Sequence, residues 1–258
     1  TYGETELFFK SVSIYGAFQS EILKLKDFFN NKGIEQSTDG IKISFIQENI
    51  SDDNEEAYTL SIDKNITISA GTSKGAFYGI QTLKQLLRKS GDKGVLPKLE
   101  IKDWPAFKIS GFMHDTGRNF QSVSQLKEQI EIMSLYKYNV FHWHLTDNPG
   151  WRLESKLYPE LQSEAATTRQ KGNYYTQDDF IEVLEFCKAR NITVIPELDI
   201  PGHTEAFRKA LNIETMRDPK VKPILLDLFR ELIGLADVND MPYIHIGTDE
   251  VKGNIESV

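Results

Sequence analysis

Apolar residues in the first hundred positions recur with two different periods. In three segments they occupy every second position, which is the pattern of a half-buried β-strand. In two other segments they recur every three or four positions, as on one face of a helix. The alternating segments are residues 41–46, 57–62 and 66–70, and the helical segments are residues 18–29 and 72–87. We therefore expect a small domain with both helices and strands over residues 1–103.

After the sequence DWP at 103–105, strand patterns and helix patterns alternate along the chain. The predicted strands are rich in Val, Ile and aromatic residues, as strands buried on both faces are. Repeated strand-then-helix units indicate an α/β fold with a parallel sheet and helices outside it. The predicted strands are residues 107–114, 139–145, 192–198 and 243–247, and the predicted helices are residues 122–136, 176–189 and 219–237. We expect Thr176, and either Ser122 or Ser124, to cap helix N-termini.

Polar residues follow each predicted strand of this second region. The carboxyl ends of the strands in a parallel barrel meet at one face, and active sites are built there. The polar segments are HDTGR at 114–118, HLTD at 144–147, ELDIPGH at 197–203 and DE at 249–250. Four such strand ends in sequence register predict a functional site at this face.

Composition and net charge limit the classes of molecule that this chain is expected to bind. The chain of 258 residues has a formal net charge of -8 and 26% charged residues. An acidic chain disfavours nucleic acid or an anionic membrane as partner, because both require a basic face, and it is compatible with a neutral sugar. The single cysteine, Cys187, lies in a helical pattern and is expected in the core, so no internal disulfide is expected.

Two adjacent acids, Asp249 and Glu250, follow the last predicted strand. Cleavage of a glycosidic acetal needs an acid that protonates the leaving oxygen and a group that stabilises the cationic sugar, and two carboxyl groups commonly supply both. Neighbouring side chains of a regular strand point to opposite faces, but where a strand ends the chain can turn and bring both into one pocket. The alternative is that the pair caps the next segment. On spacing alone both interpretations stay open.

Arg118 and Trp151 are candidates for holding a sugar. Arg118 follows Asp115 by three residues just past a strand end, where a guanidinium suits recognition of several hydroxyls at once. A structural ion pair with Asp115 is the alternative. Trp151 follows NPG at 148–150, in a predicted loop where an indole face can stack on a sugar ring. A tryptophan of the core is the alternative.

Three of the five histidines, His142, His144 and His203, lie near predicted strand ends. A His-x-His pair at a barrel strand end can chelate a divalent cation together with a later histidine and an aspartate, so a metal-dependent TIM-barrel hydrolase stays an alternative. The other interpretation is that hydrogen bonds satisfy these histidines. The chain contains neither a phosphate-binding glycine loop nor the elbow of a Ser-His-Asp hydrolase.

Several of these segments together resemble a known family. The segments are GAFYGIQTL at 75–83, IKDWP at 101–105, GFMHDTGRNF at 111–120, HWHLTD at 142–147, PELDIPGH at 196–203 and HIGTDEV at 245–251. In this order they resemble the family 20 glycoside hydrolases, the β-N-acetylhexosaminidases. The resemblance implies a small α/β domain over residues 1–103. It also implies a (β/α)8 TIM barrel of which residues 104–258 form about the first four βα units.

The resemblance also implies a role for each site residue. Glu250 matches the general acid/base, and Asp249 matches the residue that orients and polarises the 2-acetamido group of the substrate. That group then attacks the anomeric carbon and forms an oxazolinium intermediate, an exception to the scheme with two enzyme carboxylates. Arg118 matches the residue that grips hydroxyls of the terminal sugar. Asp147 and His203 match a pair that supports the acid/base glutamate.

Under this resemblance the partner is a glycan with a terminal β-linked N-acetylhexosamine, no metal or cofactor is needed, and a secreted or periplasmic location is favoured. Thr248 stands where the family usually has a second glycine. The chain ends at Val258, after four of the eight strands of a full barrel, so we expect half a site and self-association through the open barrel edge. Two further alternatives stay open, a non-catalytic sugar-binding fragment and a self-associating one.

Overall fold

A computed structural model describes the backbone of residues 2–164 and 166–250, and the side chains from residue 5 onward within those ranges. The chain divides into two compact units. The first comprises Thr1–Lys108 with Leu135–Lys137, and the second comprises Ile109–Ser134 with Tyr138–Val258. Val251 of the predicted HIGTDEV motif, and the rest of the predicted second domain after residue 250, lie outside the described residues.

The first unit is a mixed sheet with two helices. Its strands are β1 (Tyr2–Phe9), β2 (Ser11–Gly16), β3 (Glu35–Gln36), β4 (Ile41–Gln47), β5 (Tyr58–Ile62), β6 (Ile66–Ala70), β7 (Arg88–Ser90) and β8 (Lys93–Asp103), and its helices are α1 (Gln19–Asn31) and α2 (Ser73–Leu86). The strand order is β1-β8-β5-β6-β4-β2-β3, with β7 also paired to β8. The alternating pattern therefore located β4, β5 and β6, and the helical pattern located α1 and α2.

Local chemistry explains how these elements begin and pack. Thr72 caps α2, since its hydroxyl accepts a hydrogen bond from the backbone N–H of Gly75. A Cβ at Gly79 would lie 2.8 Å from Cγ2 of Ile68, so a glycine here lets α2 approach β6 closely. Gly91 and Asp92 form the tight turn between β7 and β8, where Gly91 has φ 60°.

The second unit alternates strands and helices. Its strands are β9 (Gly111–Asp115), β10 (Val140–His144), β11 (Thr146–Asp147), β12 (Gly150–Trp151), β13 (Thr193–Ile200) and β14 (His245–Gly247). Its helices are α3 (Val123–Leu135), α4 (Gln177–Lys188), α5 (Glu205–Leu211) and α6 (Val221–Ile233), with a 3-10 turn at Pro159–Gln162. Thr176 caps α4 in a capping box with Asp179, and the Ser122 hydroxyl accepts from the N–H of Gln125 at the start of α3.

The four main strands of this unit form a parallel sheet, as predicted, and their order is β14-β13-β10-β9. Trp143 of β10 stacks on Phe180 of α4, with ring centroids 5.5 Å apart, so helices cover one face of the sheet. The predicted strand at 107–114 starts only at Gly111. Phe107 and Ile109 are 78% and 70% exposed and belong to no strand among the described residues. Neither the small β11–β12 hairpin nor α5 was predicted.

Among the described residues, no helix is both long enough and apolar enough to cross a membrane.

Candidate active site

The register of the parallel sheet brings polar side chains from three strands onto one face. His144 of β10 pairs with Asp115 of β9 and with Glu197 of β13, and His142 lies two residues earlier on the same strand. Paired residues in a sheet, and alternate residues in one strand, point to the same side. The opposite side carries Trp143 and packs on the helices. All four polar side chains therefore share the face that is not covered by α4.

Glu197 is a carboxylate surrounded by histidines. Its Oε2 lies 2.6 Å from Nε2 of His142 and 3.1 Å from Nδ1 of His144, and its Oε1 lies 3.0 Å from Nδ1 of His245. The side chain is buried. Burial alone would raise the pKa of Glu197, but the hydrogen bonds from His142 and His144 outweigh burial and hold it far below its usual range. Glu197 is therefore an anion at every physiological pH.

Asp147 is a second buried carboxylate, and one of its oxygens has three basic neighbours. Oδ2 lies 2.9 Å from an Nη of Arg118, 3.2 Å from Nε2 of His144 and 3.5 Å from Nδ1 of His203. Oδ1 accepts a hydrogen bond from the backbone N–H of Asn148 at 2.6 Å. Burial raises the pKa of Asp147, yet the hydrogen bonds and the Arg118 charge prevail and the net shift is downward.

Arg118 is tied to two carboxylates. One Nη donates to Asp115 at 2.7 Å and the other contacts Asp147, while the backbone N–H of Arg118 donates to the other oxygen of Asp115. Arg118 therefore forms the structural ion pair with Asp115 that was the alternative interpretation of its position in the sequence. This ion pair orients a guanidinium whose side chain is still 41% exposed. A Cβ at Gly117 would lie 3.0 Å from Asp147, so a glycine lets this loop approach.

The adjacent acids Asp249 and Glu250 come after β14 has ended at Gly247. The chain turns there, with positive φ at Gly247, Thr248 and Glu250, so the opposite-face rule of a regular strand does not apply. Oε2 of Glu250 lies 3.2 Å from Nε2 of His203, and the Glu250 side chain is 76% exposed. The alternative that this pair caps the next segment falls on residues 251–258, outside the described residues.

Asp199 belongs to the site but was not singled out from the sequence. Its Oδ1 is buried without a hydrogen-bond partner among the described residues. Burial, reinforced by the nearby Asp249 carboxylate, raises the pKa of Asp199 to about 6. A Cβ at Gly247 would lie 1.8 Å from this oxygen, so only glycine fits there. The available signal was position, since Asp199 follows Glu197 by two residues on β13 and shares its face.

Arg152 is a second residue that the sequence did not reveal. It is fully buried. Its guanidinium donates to backbone carbonyls of two loops, Thr116 and Gly117 after β9 and residues 169–173 before α4. Burial lowers the pKa of Arg152. Arg152 therefore fastens the loop that carries Arg118.

The interpretation of Trp151 as a ring lining a sugar subsite is wrong. The residue lies on β12, where the β11–β12 hairpin folds it inward, and it is 3% exposed. Its ring packs against Phe207 of α5 with centroids 5.9 Å apart. The indole belongs to the hydrophobic core and is almost fully covered, so it offers no face to a sugar, and the alternative of a core tryptophan holds.

The metal alternative required His142, His144 and His203 to converge. Within the described ranges they do not share one cluster of ligand atoms, because His142 groups with Glu197 and His245 while His203 groups with Asp147 and Asp199. Ligand atoms around a tetrahedral Zn²⁺ at about 2.0–2.1 Å would lie roughly 3.3 Å apart. The 2.6 Å between His142 Nε2 and Glu197 Oε2 is instead a hydrogen-bond distance. His142 and Glu197 are therefore joined by a hydrogen bond and are not spaced as two ligands of one ion.

Family comparisons match both units. The model for glycosyl hydrolase family 20, domain 2, matches residues 16–104, and that for the catalytic domain of the same family matches residues 107–222. Together they cover more than three quarters of the chain. Among curated relatives, a beta-hexosaminidase of Vibrio furnissii is 37% identical over an alignment of 234 residues, and the match covers 78% of this chain and 38% of that protein. A beta-hexosaminidase of Porphyromonas gingivalis is 44% identical over an alignment of 166 residues, and the match covers 59% of this chain and 21% of the relative.

Solved structures of this family match nearly all of the chain. The GH20 exo beta-N-acetylglucosaminidase from Vibrio harveyi, solved in complex with N-acetylglucosamine, is 29% identical with a TM-score of 0.87, covering 100% of this chain and 46% of that one. The GH20 beta-N-acetylhexosaminidase from Streptomyces coelicolor is 25% identical with a TM-score of 0.84, covering 97% and 58%. The chain thus spans less than half of the Vibrio harveyi protein. The predicted fold class, an N-terminal α/β domain followed by a partial barrel-like α/β domain, is confirmed, and the chain belongs to glycosyl hydrolase family 20.

Proposed function

We propose that this chain carries the N-terminal accessory domain (residues 1–103) and the first four βα units (residues 104–258) of a retaining exo-β-N-acetylhexosaminidase. The substrate is a glycan that ends in β-linked GlcNAc or GalNAc. The observation that carries the proposal is the contact between His203 and Glu250, anchored through His203 to the buried Asp147. The names of the curated relatives, beta-hexosaminidase and chitobiase, support the substrate class.

In the proposed reaction Glu250 donates its proton to the glycosidic oxygen as the bond to the anomeric carbon breaks. The carbonyl oxygen of the substrate's 2-acetamido group attacks that carbon from the opposite side and forms an oxazolinium ion. Asp249 orients the acetamido group and balances the charge on its N–H. Water then attacks the anomeric carbon, Glu250 takes up one proton of that water, and the ring opens to the hemiacetal with its original configuration.

The surroundings of the two acids support these different roles. Glu250 is exposed and is held by an imidazole, which suits a group that must exchange protons with substrate and solvent. Asp249 neighbours Asp199, whose buried carboxyl group has its pKa raised to about 6 by burial and by the charge of Asp249. Arg118, fixed by Asp115 and Asp147, presents a guanidinium fork for hydroxyls of the terminal sugar.

Hydrolysis by the natural gene product tests the proposal. We expect release of 4-methylumbelliferone from the N-acetyl-β-D-glucosaminide and far slower release from the matched β-D-glucoside, which has no acetamido nucleophile. Proton NMR of the first product should show the β-anomer before mutarotation. Equal cleavage of both glycosides, or initial formation of the α-anomer, would refute substrate-assisted retention.

Self-association is a separate proposal for the chain by itself. Within the described residues, β9 and β14 lie at the two ends of the parallel sheet and each pairs on one side only. Apolar side chains near these edges are exposed, including Met113, Tyr243 and Ile246. Unpaired strand edges next to apolar surface favour edge-to-edge pairing. Sedimentation equilibrium of the 258-residue chain should show concentration-dependent dimers or larger species, and a strict monomer would refute this proposal.

A further inference from the structure

Both ring nitrogens of His144 face carboxylate oxygens. Nδ1 lies 3.1 Å from Oε2 of Glu197, and Nε2 lies 3.2 Å from Oδ2 of Asp147. All three side chains are buried, with 2–6% of each exposed, so no bulk water separates them. This arrangement restricts the protonation state of the ring.

A neutral imidazole has one N–H and one lone pair, so it donates at one nitrogen only. If His144 were neutral, one lone pair would point at a buried carboxylate oxygen, which is repulsive. A proton on Asp147 is disfavoured, because the Arg118 guanidinium and the N–H of Asn148 donate to its two oxygens. Glu197 Oε2 also lies 2.6 Å from Nε2 of His142, and a hydrogen bond to that oxygen favours its charged form. The imidazolium is the one form that donates to both.

We propose that His144 is a constitutively charged positioning residue, an imidazolium that bridges Glu197 to Asp147 and fixes the Asp147 oxygen on which Arg118 and His203 converge. Glu197 serves as the counter-ion that keeps the ring charged. The hydrogen bond from His144 then holds Asp147 Oδ2 in place. The guanidinium of Arg118 and the imidazole of His203 both contact this same positioned oxygen. Neither His144 nor Glu197 needs to touch the substrate for this.

The charges around the ring come from every neighbouring element and favour the cation. Carboxylates facing His144 are Asp115 of β9, Asp147 of β11, and Glu197 and Asp199 of β13, and the basic groups nearby are Arg118, His142, His203 and His245. Burial lowers the pKa of His144, but the hydrogen bonds to Asp147 and Glu197 outweigh it and raise the pKa to about 10.

His114 supplies an internal contrast. It lies on β9, one position along from the residue paired with His142, and so points to the helix-covered side of the sheet. Its Nε2 is buried with no hydrogen-bond partner among the described residues, and burial lowers its pKa. Two histidines of one sheet, each with a buried ring nitrogen, are thus expected in opposite charge states. The comparison distinguishes an effect of burial alone from an effect of the two carboxylates that flank His144.

Nitrogen-15 NMR of the imidazole rings in the 258-residue chain tests the inference. We expect both ring nitrogens of His144 to stay protonated up to about pH 8.5, while His114 is neutral at about pH 7. Assignment uses His114→Gln and His142→Gln. In Glu197→Gln the ring should lose a proton at least about tenfold more readily, a fall of about one pH unit. Glu154→Gln is the matched control, because the Glu154 carboxylate accepts from the backbone N–H of Gln177. This substitution should leave the titration of His144 unchanged.

A neutral His144 ring at about pH 7.5 in the folded wild-type chain would overturn the inference. So would a folded Glu197→Gln variant in which His144 titrates as in wild type. If Glu197→Gln does not fold, the wild-type titration decides alone. The proposed function explains why the position of the Asp147 oxygen matters, and the inference rests on that function in this respect alone. A failed glycosidase assay leaves the NMR result intact, and a neutral His144 leaves the proposed hydrolase standing.

Discussion

The imidazole Nε2 of His203 lies 3.2 Å from Oε2 of Glu250. This contact links the turn after β13 to the turn after β14. Because the other ring nitrogen of His203 lies 3.5 Å from Asp147, the link extends to the end of β10 and, through Arg118, to the end of β9. Side chains from four successive strand ends thus form one connected network. Its parts make predictions that can be checked separately.

Replacing Arg118 by Lys should weaken substrate binding, because a single ammonium cannot reach Asp115, Asp147 and a sugar hydroxyl together. We expect KM of the natural gene product for an aryl N-acetyl-β-glucosaminide to rise by about 10–100-fold, the range of one to two charge-assisted hydrogen bonds. Arg190→Lys is the control, since Arg190 pairs with Glu131 at the surface, away from the strand ends. An unchanged KM in Arg118→Lys would contradict a role in holding the sugar.

Replacing Asp199 by Asn should stabilise the chain at neutral pH. The pKa of Asp199 is raised to about 6, so the folded state holds this proton more tightly than the unfolded state, and stability falls as pH rises from about 4 to 6. Asn removes that cost. Urea unfolding should show a gain of about 1–3 kcal/mol at pH 7.5 and little change near pH 4.

The matched control, Asp147→Asn, should act in the opposite direction. The pKa of Asp147 is lowered on folding, so its contribution is present above the ordinary value of 3.8 and is lost as pH falls through the folded value. Asp147→Asn should therefore destabilise at neutral pH. Destabilisation by both substitutions at pH 7.5 would contradict the prediction that the ionised Asp199 carboxylate destabilises the folded state.

Arg152→Met should destabilise the chain strongly. The substitution leaves buried carbonyls of two loops without a donor, which costs about 3–5 kcal/mol in the free energy of unfolding. Arg230→Met is the control, because Arg230 is exposed and pairs with its helix neighbour Asp227, so its removal should change stability by at most about 0.5 kcal/mol. Similar unfolding midpoints for the two variants would contradict the anchoring role of Arg152.

Asp249→Asn should lower turnover most for substrates that carry a 2-acetamido group. The amide cannot balance the positive charge that develops on the acetamido nitrogen, whereas a glycoside without that group makes no such demand. We expect kcat of the natural gene product on the N-acetylglucosaminide to fall by about 100-fold or more. An equal fall for the β-glucoside would show that Asp249 serves the site in some other way.

The sequence predicted the sheet correctly where its pattern is local. Apolar runs located β10, β13 and β14, and polar residues after them marked the face of the sheet that carries the site. The clearest failure was Trp151, since NPG before it resembles an exposed loop, whereas the β11–β12 pairing turns the ring toward Phe207. That inward turn depends on a contact with α5, a helix too short to give a clear period.

Side-chain contacts between neighbouring strands could not be predicted from the sequence, because they depend on the register of the strands. The cluster of histidines on Glu197 depends on the register of β10 against β13, and a shift of one residue would turn Glu197 to the helix-covered side. The role of Arg152 could not be predicted either, because the carbonyl groups that it contacts belong to loops far apart in sequence. The roles of Glu250, Asp249, Arg118, Asp147 and His203 came from the family resemblance and stay predictions.

The most direct test of the account is the leaving-group dependence of Glu250→Gln in the natural gene product. A general acid is needed most when the departing alcohol is a poor leaving group. The variant should retain much of its kcat/KM on 2,4-dinitrophenyl N-acetyl-β-glucosaminide and lose about 100-fold or more on chitobiose. Equal activity of wild type and variant on chitobiose, or the same loss on both substrates, would contradict the assignment of Glu250 as the acid.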